Sequence, residues 1–453
     1  MKTRRPNIVM MVSDDHGRQM GCYGDRSART PHLDALAGDG IIFNRAYCTA
    51  STCSPSRAVI LTGLHNHTNG MYGLEHAVHH FACFDDLTSL PNLLEQAGYR
   101  TARVGKYHVA PEHVFHFQHV LEEGADWHYR DDVAMTGLCR EFLEGDEPFF
   151  LYWASYNPHR GCGVVEDHPC KPDRFGNPAQ PYPGDEEELF DEASLDIPDF
   201  LSDTPEVRAE LAQYHQSVAR MDRGAGSLIE MLKQLGKYDD TLILYLSDNG
   251  AAFPESKTTL YEAGMRLPLI VKPPAGEPLP AGGACDALVS WVDLAPTLLD
   301  FAGVETEADQ FHGSSFRRAL GGDLTGRPEE IYASHSMHQV SQYYPMRVIC
   351  TDRHKFIWNI AHPLTYTIPG DVWESASWQG VLRDGRGRFG PRSVEAYLHR
   401  PRYELYDLAA DPLETRNLAG EAEYAELMEE FCEKLRRFQQ RTNDPWLHKW
   451  DYE

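Results

Sequence analysis

Asn7-Ile8-Val9-Met10-Met11-Val12-Ser13-Asp14-Asp15 joins an unbroken apolar run to two carboxylates. A strand buried on both faces of a parallel sheet has no solvated side to alternate with, so it reads as continuous apolar sequence. Three further stretches repeat the form. Arg100-Thr101-Ala102-Arg103-Val104 runs into Gly105-Lys106-Tyr107-His108, Phe149-Phe150-Leu151-Tyr152-Trp153 into Asn157-Pro158-His159, and Leu242-Ile243-Leu244-Tyr245-Leu246 into Ser247-Asp248-Asn249-Gly250. Helical patterns lie between them: Thr30-Pro31 opens one toward Leu33 and Leu36, Leu90 to Ala97 is stopped by Gly98, and Thr204-Pro205 opens one toward Met221 and Leu232. Strands alternating with helices predict an α/β sheet covered on both faces. Ligands of such sheets bind beyond the carboxyl ends of the strands, where all four polar clusters fall, so periodicity alone predicts one shared site.

With 453 residues, 42% of them hydrophobic, the chain is long enough for two domains or one large domain with a satellite. The turn-rich Gly321-Gly322-Asp323-Leu324-Thr325-Gly326-Arg327-Pro328 marks a boundary, giving a domain over 1–325 and a smaller one over 326–453. The second carries short strand patterns at Ile331–Ser334, Met346–Cys350, Lys355–Trp358 and Glu404–Asp407, then a helix from about Glu421 to Arg437, which predicts a small antiparallel sheet with a packed helix. The Pro/Gly-rich, acidic stretch from Gly161 to Asp203 is long for a connection; it reads as a solvated loop, or as an excursion near the site or at a dimer surface.

The formal charge of -26 argues against nucleic acid and anionic membrane as partners. It would also repel an anionic substrate at long range, so such a substrate needs local attraction from a bound cation and a few converging basic side chains. No signal peptide or membrane-spanning stretch is visible, which makes the expected location cytoplasmic, or that of an exported form already trimmed. Ten irregularly spaced cysteines show no disulfide framework or zinc pattern; Cys162 and Cys170 form the one pair considered for a local bridge.

One cysteine stands apart. In Thr52-Cys53-Ser54-Pro55-Ser56-Arg57, Pro55 suits the first turn of a helix that runs through Arg57-Ala58-Val59-Ile60-Leu61 and stops at Gly63. Cys53 is thereby placed at or just before a helix N-terminus, where free N–H groups and the helix dipole favour a thiolate, an alkoxide or a bound oxyanion. Asp14, Asp15, Asp248 and Asn249 add hard oxygen ligands from two strand ends, of the kind that calcium or magnesium takes.

Cys-x-Pro-Ser-Arg followed by Thr62-Gly63 resembles the modification signature of the type I sulfatases, and the likeness extends nearly end to end, through Glu404-Leu405-Tyr406-Asp407 to Asn417-Leu418. Within that family, Asn69-Gly70-Met71-Tyr72-Gly73-Leu74, Val78-His79-His80-Phe81, Pro158-His159-Arg160 and Tyr344-Pro345-Met346-Arg347 are similar to the sulfamidase branch. The resemblance implies an alkaline-phosphatase-like α/β sandwich, with a large mixed, mostly parallel sheet and a small C-terminal antiparallel one. It implies that Cys53 is converted to Cα-formylglycine by the formylglycine-generating enzyme, that Asp14, Asp15, Asp248, Asn249 and residue 53 hold Ca2+, and that the protein is a homodimer.

The resemblance further implies that hydrated formylglycine attacks sulfur and that its second hydroxyl then loses a proton to expel sulfate. Arg57, four residues beyond Cys53, can reach back to the hydrate; Lys106 binds sulfate; His108 takes the second hydroxyl's proton; His159, at its strand end and aided by Lys257, protonates the leaving group. His79, His80, His335 and His338 contact sugar or simply pack, with His338 favoured by its place before Tyr344. The expected reaction is hydrolysis of glucosamine N-sulfate at the non-reducing end of heparan sulfate or heparin fragments. An O-sulfatase on another glycan is the nearest alternative, then a phosphonate or phosphate monoester hydrolase, then a sugar-binding protein that has lost activity. Lysine at 257, where sulfamidase-like sequences carry arginine, keeps the charge but loses the planar fork, and so leaves substrate preference open.

Overall fold

The computed structural model describes residues 5–161, 173–186, 188–277, 283–307 and 309–452. Its larger sheet is built from β1 (Asn7–Ser13), β2 (Ile41–Tyr47), β3 (Arg100–Gly105), β4 (His119–Val120), β5 (Phe149–Ala154), β6 (Thr241–Ser247), β7 (Leu269–Lys272) and β8 (Gly283–Ser290), in the order β4-β3-β5-β1-β6-β7-β2-β8. All its pairings are parallel except the two made by β7. β1, β5 and β6 are buried at every residue, as their unbroken apolar sequences require. Two other strands differ: in β2 Asn44 and Arg45 are half-buried, and in the edge strand β8 Asp286 is exposed. Those polar interruptions are why an apolar-run criterion misses both.

The expected helices are present at Pro31–Gly38, Leu90–Gln96 and Pro205–Gln234. Thr204 caps the last by accepting from the Val207 N–H, and Pro205 opens it. A second sheet, order β14-β11-β10-β9, is antiparallel throughout and formed by β9 (Glu330–Met337), β10 (Tyr343–Thr351), β11 (His354–Asn359) and β14 (Tyr403–Asp407); the short β12 (Arg388–Phe389) and β13 (Arg392–Ser393) pair with each other. The helix Ala425–Arg441 packs Phe431, Leu435 and Phe438 on this sheet, starting four residues later than its sequence pattern suggests. The larger core continues into the smaller sheet through Ile331, Ala333, Met346 and Val348.

Asp173, Phe175 and Asn177, inside the long acidic stretch, are fully buried beside the Pro205–Gln234 helix. Asn177 Nδ2 donates to the Gln213 carbonyl at 2.9 Å, so this portion is built into the fold. Cys162 and Cys170 lie outside the described residues; the eight described cysteines are free thiols. No described helix is long and apolar enough to cross a membrane.

Register places the site. Val12 and Gly105 both pair with Ala154, and Ser13 pairs with Ser247, so the carboxyl ends of β1, β3, β5 and β6 are level. Backbone bonds continue the alignment past the strands, from Asp14 N–H to the Asn157 carbonyl, Lys106 N–H to Ala154 and Asp248 N–H to Ser13. Gly105 has φ of 85°, and a Cβ there would lie 2.1 Å from the Ala154 carbonyl oxygen. Glycine therefore lets the chain turn tightly enough to bring Lys106 over the strand ends.

Candidate active site

Cys53 is the first residue of the helix Cys53–Thr62, whose ten residues are all buried and which ends at left-handed Gly63. Its Sγ lies 3.4 Å from Asp14 Oδ1 and 3.8 Å from Asp15 Oδ1. Burial, with the neighbouring carboxylates, pushes the Cys53 thiol well above its ordinary range, although Lys106 and Lys257 pull the other way. Burial thus disfavours the thiolate form of an unmodified Cys53.

The two aspartates that follow β1 are fully buried, and cations surround them. Lys106 Nζ pairs with Asp14, and Lys257 Nζ lies 2.8 Å from Asp15 Oδ2. His159 Nδ1 stands 2.6 Å from Asp15 Oδ2 and 3.6 Å from Asp14 Oδ2. Burial alone would raise both carboxyls; Lys106 and His159 hold Asp14 below the usual carboxylate range, and Lys257 and His159 do the same for Asp15. Asp248 is different, raised by burial to about 7 against the pull of Arg57.

Arg57 lies one turn beyond Cys53, but its guanidinium is engaged beneath the site. Nε donates to Asp248 Oδ2 at 2.8 Å, and Nη1 donates to the Lys106 carbonyl at 3.0 Å and the Tyr152 hydroxyl at 3.1 Å. It braces three strand ends at once. Asp248 Oδ1 in turn accepts from the Asp15 and Asn249 N–H groups at 3.0 and 2.8 Å.

Asp14, Asp15, Cys53 and His159 offer ligand atoms within 4.8 Å of one another. Asn249 Nδ2 donates to Asp15 Oδ1 at 2.7 Å, while the Asn249 Oδ1 is buried without a partner. An orphaned carbonyl oxygen beside two ionised carboxylates fits a hard divalent cation. Asp248 belongs to the same strand-end layer, with its oxygens already accepting the three bonds given above.

A cavity of about 500 Å³ opens over this layer, lined by Lys106, His108 and His159 together with Glu75, His76 and Arg130. Burial lowers the His159 pKa, and the two aspartates partly restore it. His79, His80, His335 and His338 do not line the cavity. His338 is buried against the Thr52 hydroxyl at the start of the Cys53 helix, and His79 Nδ1 accepts from the Val340 N–H at 3.3 Å. Arg160, beside His159, pairs with buried Glu210 at 2.6 Å and donates from Nε to the Ala252 carbonyl at 2.9 Å.

Sequence reasoning missed Tyr152, His76 and Asp371. Tyr152 is hidden within an apolar strand pattern. His76 lies between two stretches that carry the resemblance, yet in neither. Asp371 comes from the segment between β11 and β14 and is bonded to Lys257, a long-range contact with no local signal.

Residues 6–304 match the family described as Sulfatase, and residues 255–369 match the one described as N-sulphoglucosamine sulphohydrolase, C-terminal. The human N-sulphoglucosamine sulphohydrolase is 37% identical, over 98% of this chain and 92% of that protein. An N-acetylglucosamine-6-O-sulfatase of Bacteroides thetaiotaomicron is 27% identical, over 98% and 88% respectively. Among solved structures, a protein in complex with its substrate D-glucosamine-2-N,6-O-disulfate superimposes with a TM-score of 0.70 at 24% identity, covering 98% of this chain and 99% of that one. The phosphonate monoester hydrolase of Agrobacterium radiobacter gives 0.69 at 19%, covering 97% and 96%.

Proposed function

The chain belongs to the sulfatase family, and from that premise we propose that it hydrolyses the N-sulfate of glucosamine at the non-reducing end of heparan sulfate or heparin fragments. The observation that carries this reading is the near end-to-end likeness to a protein named for that reaction, including the C-terminal match that starts at 255 and takes in Lys257. We also infer that Cys53 is matured to formylglycine by the formylglycine-generating enzyme, that Ca2+ is the resident ion, and that the protein works as a homodimer.

Asp14, Asp15, Asp248 and Asn249 would hold the ion together with residue 53, where bound Ca2+ supplies positive charge that favours an ionised hydroxyl nucleophile and a neutralised sulfonate. The chain's own residues supply the remainder. Lys106 and Lys257 are buried ammonium groups fixed by Asp14 and Asp15, so they present positive charge to a sulfonate without reorganising. His159 is oriented by Asp15 at Nδ1 and lines the cavity, which suits it to protonate a departing amine. His108 has a buried Nδ1 without a partner, an acceptor for the proton released when sulfate departs. Arg57 keeps Asp248 and the Lys106 backbone in place beneath them.

One observation favours a second reading. Lys257 stands where sulfamidase-like sequences carry arginine, and a single ammonium reads a sulfonate with less directional demand than a guanidinium fork, which supports O-sulfate hydrolysis. Measuring sulfate or phosphate release from glucosamine N-sulfate, glucosamine 6-sulfate and an aryl phosphate side by side separates the possibilities. Preference for the first supports N-sulfatase action; preference for the second or third overturns it.

A further inference from the structure

His108 follows β3 at φ of 58°, and its two ring nitrogens have different surroundings. Nδ1 is buried without a partner; Nε2 meets His76 Nδ1. The two rings lie 4.6 Å apart at 36°, and both line the cavity. His76 is itself exposed, and its ring packs edge-on against His79 at 5.7 Å, which is anchored through Nδ1 by the Val340 N–H.

A contact between two imidazole nitrogens requires one hydrogen, which can lie either way. If His76 Nδ1–H donated, His108 would carry its proton on Nδ1, a buried donor with no acceptor. If His108 Nε2–H donates, His108 Nδ1 holds a lone pair, and His76 keeps its own proton on exposed Nε2, where water satisfies it. Lys106, Arg57 and His159 face His108, while Lys106, His79, His159 and Lys257 face His76. These basic neighbours oppose charging both rings together. Glu75 and Glu122 are the acidic residues that line the same cavity.

We propose that His76 is a positioning residue for His108, accepting its Nε2–H and thereby holding it as the neutral tautomer whose Nδ1 lone pair can receive a proton from the reacting group. When that proton arrives on Nδ1, one positive charge appears on His108 and the Nε2–H bond to His76 becomes charge-assisted. The proton later leaves from Nδ1 to water, restoring the same tautomer. The inference rests on the sulfatase reading of the cavity, and deepens it by assigning the orientation of its base.

Nitrogen NMR of histidine-labelled protein, in the thiol and the matured forms, tests the tautomer without reference to turnover. The expected spectrum shows His108 protonated at Nε2 and bare at Nδ1; an Nδ1–H tautomer in the wild type overturns the proposal. In kinetics, His76→Ala should lower kcat by about 10- to 100-fold, the range for removing the partner that orients a functional histidine. KM should hardly change, and added imidazole should restore part of the rate. His76→Asn, whose Oδ1 can accept from a similar place, should retain most of it. Wild-type kcat in His76→Ala, or equal losses in Ala and Asn variants with no imidazole rescue, overturns the proposal. If wild-type protein releases sulfate from no sulfated substrate, the functional reading fails, while the nitrogen spectrum still decides the His108–His76 geometry.

Discussion

Asp371 accepts a hydrogen bond from the Lys257 ammonium at 2.6 Å, although 114 residues separate them in the chain. The same Nζ lies 2.8 Å from Asp15, so Lys257 is clamped between a strand-end carboxylate and one supplied by the C-terminal region. Both Lys257 and Asp371 are buried, where a charge-assisted bond is worth roughly 1.5–3 kcal/mol. Asp371→Asn should lower kcat/KM for a sulfated substrate by about 10- to 100-fold, at 1.36 kcal/mol per tenfold. The melting temperature should fall as well, because neutralising one partner leaves the buried Lys257 charge less compensated. An unchanged kcat/KM would show that Asp15 alone fixes Lys257.

Maturation of Cys53 and the resident ion make separable expectations. Peptide mass spectrometry of active protein should show formylglycine at position 53, and Cys53→Ala should fold but not turn over. Full activity with an unmodified thiol would sink the mechanism, since a thiol cannot form the hydrated aldehyde that it requires. Chelation should abolish activity before unfolding the protein, and calcium should restore it; metal analysis showing zinc instead would contradict the oxygen-rich donor set.

Acid should destabilise the fold through buried groups remote from the cavity. His67 is buried and neutral, with Nδ1 against Ser334 and Nε2 against Thr442, and burial pushes its pKa down to about 3. Against an unfolded value near 6.5, this group contributes full stability above about pH 6.5 and loses it as pH falls toward 3. At pH 5 the loss is about 2 kcal/mol. Asp444, paired with Arg347 in the interior, is likewise held below the usual carboxylate range, so its contribution is lost at still lower pH. Urea unfolding between pH 7.5 and 4.5 should show the slope, and His67→Gln should flatten it; a pH-independent midpoint would rule it out.

Much of this site is legible in sequence because the strands that build it are buried on both sides. Ile8–Val12 and Leu242–Leu246 must be apolar throughout, so Asp14, Asp15, Asp248 and Asn249 stand out as abrupt endings, and parallel register makes those endings level. Cys53, Lys106 and His159 are legible through local motif or strand-end position. Asp371 and His76 are not, because their roles exist through contacts that span the chain or a cavity wall. Strands β2 and β8 are hidden for the opposite reason to β1: partial exposure admits polar residues that break the run.

His159 separates leaving-group chemistry from sulfonate binding. Its Nδ1 is held by Asp15 at 2.6 Å and its ring lines the cavity, a geometry compatible with donating a proton to the departing group or with holding a sulfonate oxygen. The two roles differ in how they respond to the substrate. A glucosamine nitrogen leaves poorly unless protonated, whereas the phenolate of an activated aryl sulfate departs with little help. If His159 is the acid, His159→Ala should slow glucosamine N-sulfate hydrolysis by about 10²- to 10⁴-fold while leaving aryl sulfate hydrolysis much less affected. His108→Ala is the control: as the group that accepts a proton after transfer, its loss should slow both substrates and leave sulfated enzyme detectable by mass. Equal depression of both substrates by His159→Ala would assign His159 to sulfonate binding, and the acid would then be sought first at Lys257, which shares Asp15 with it.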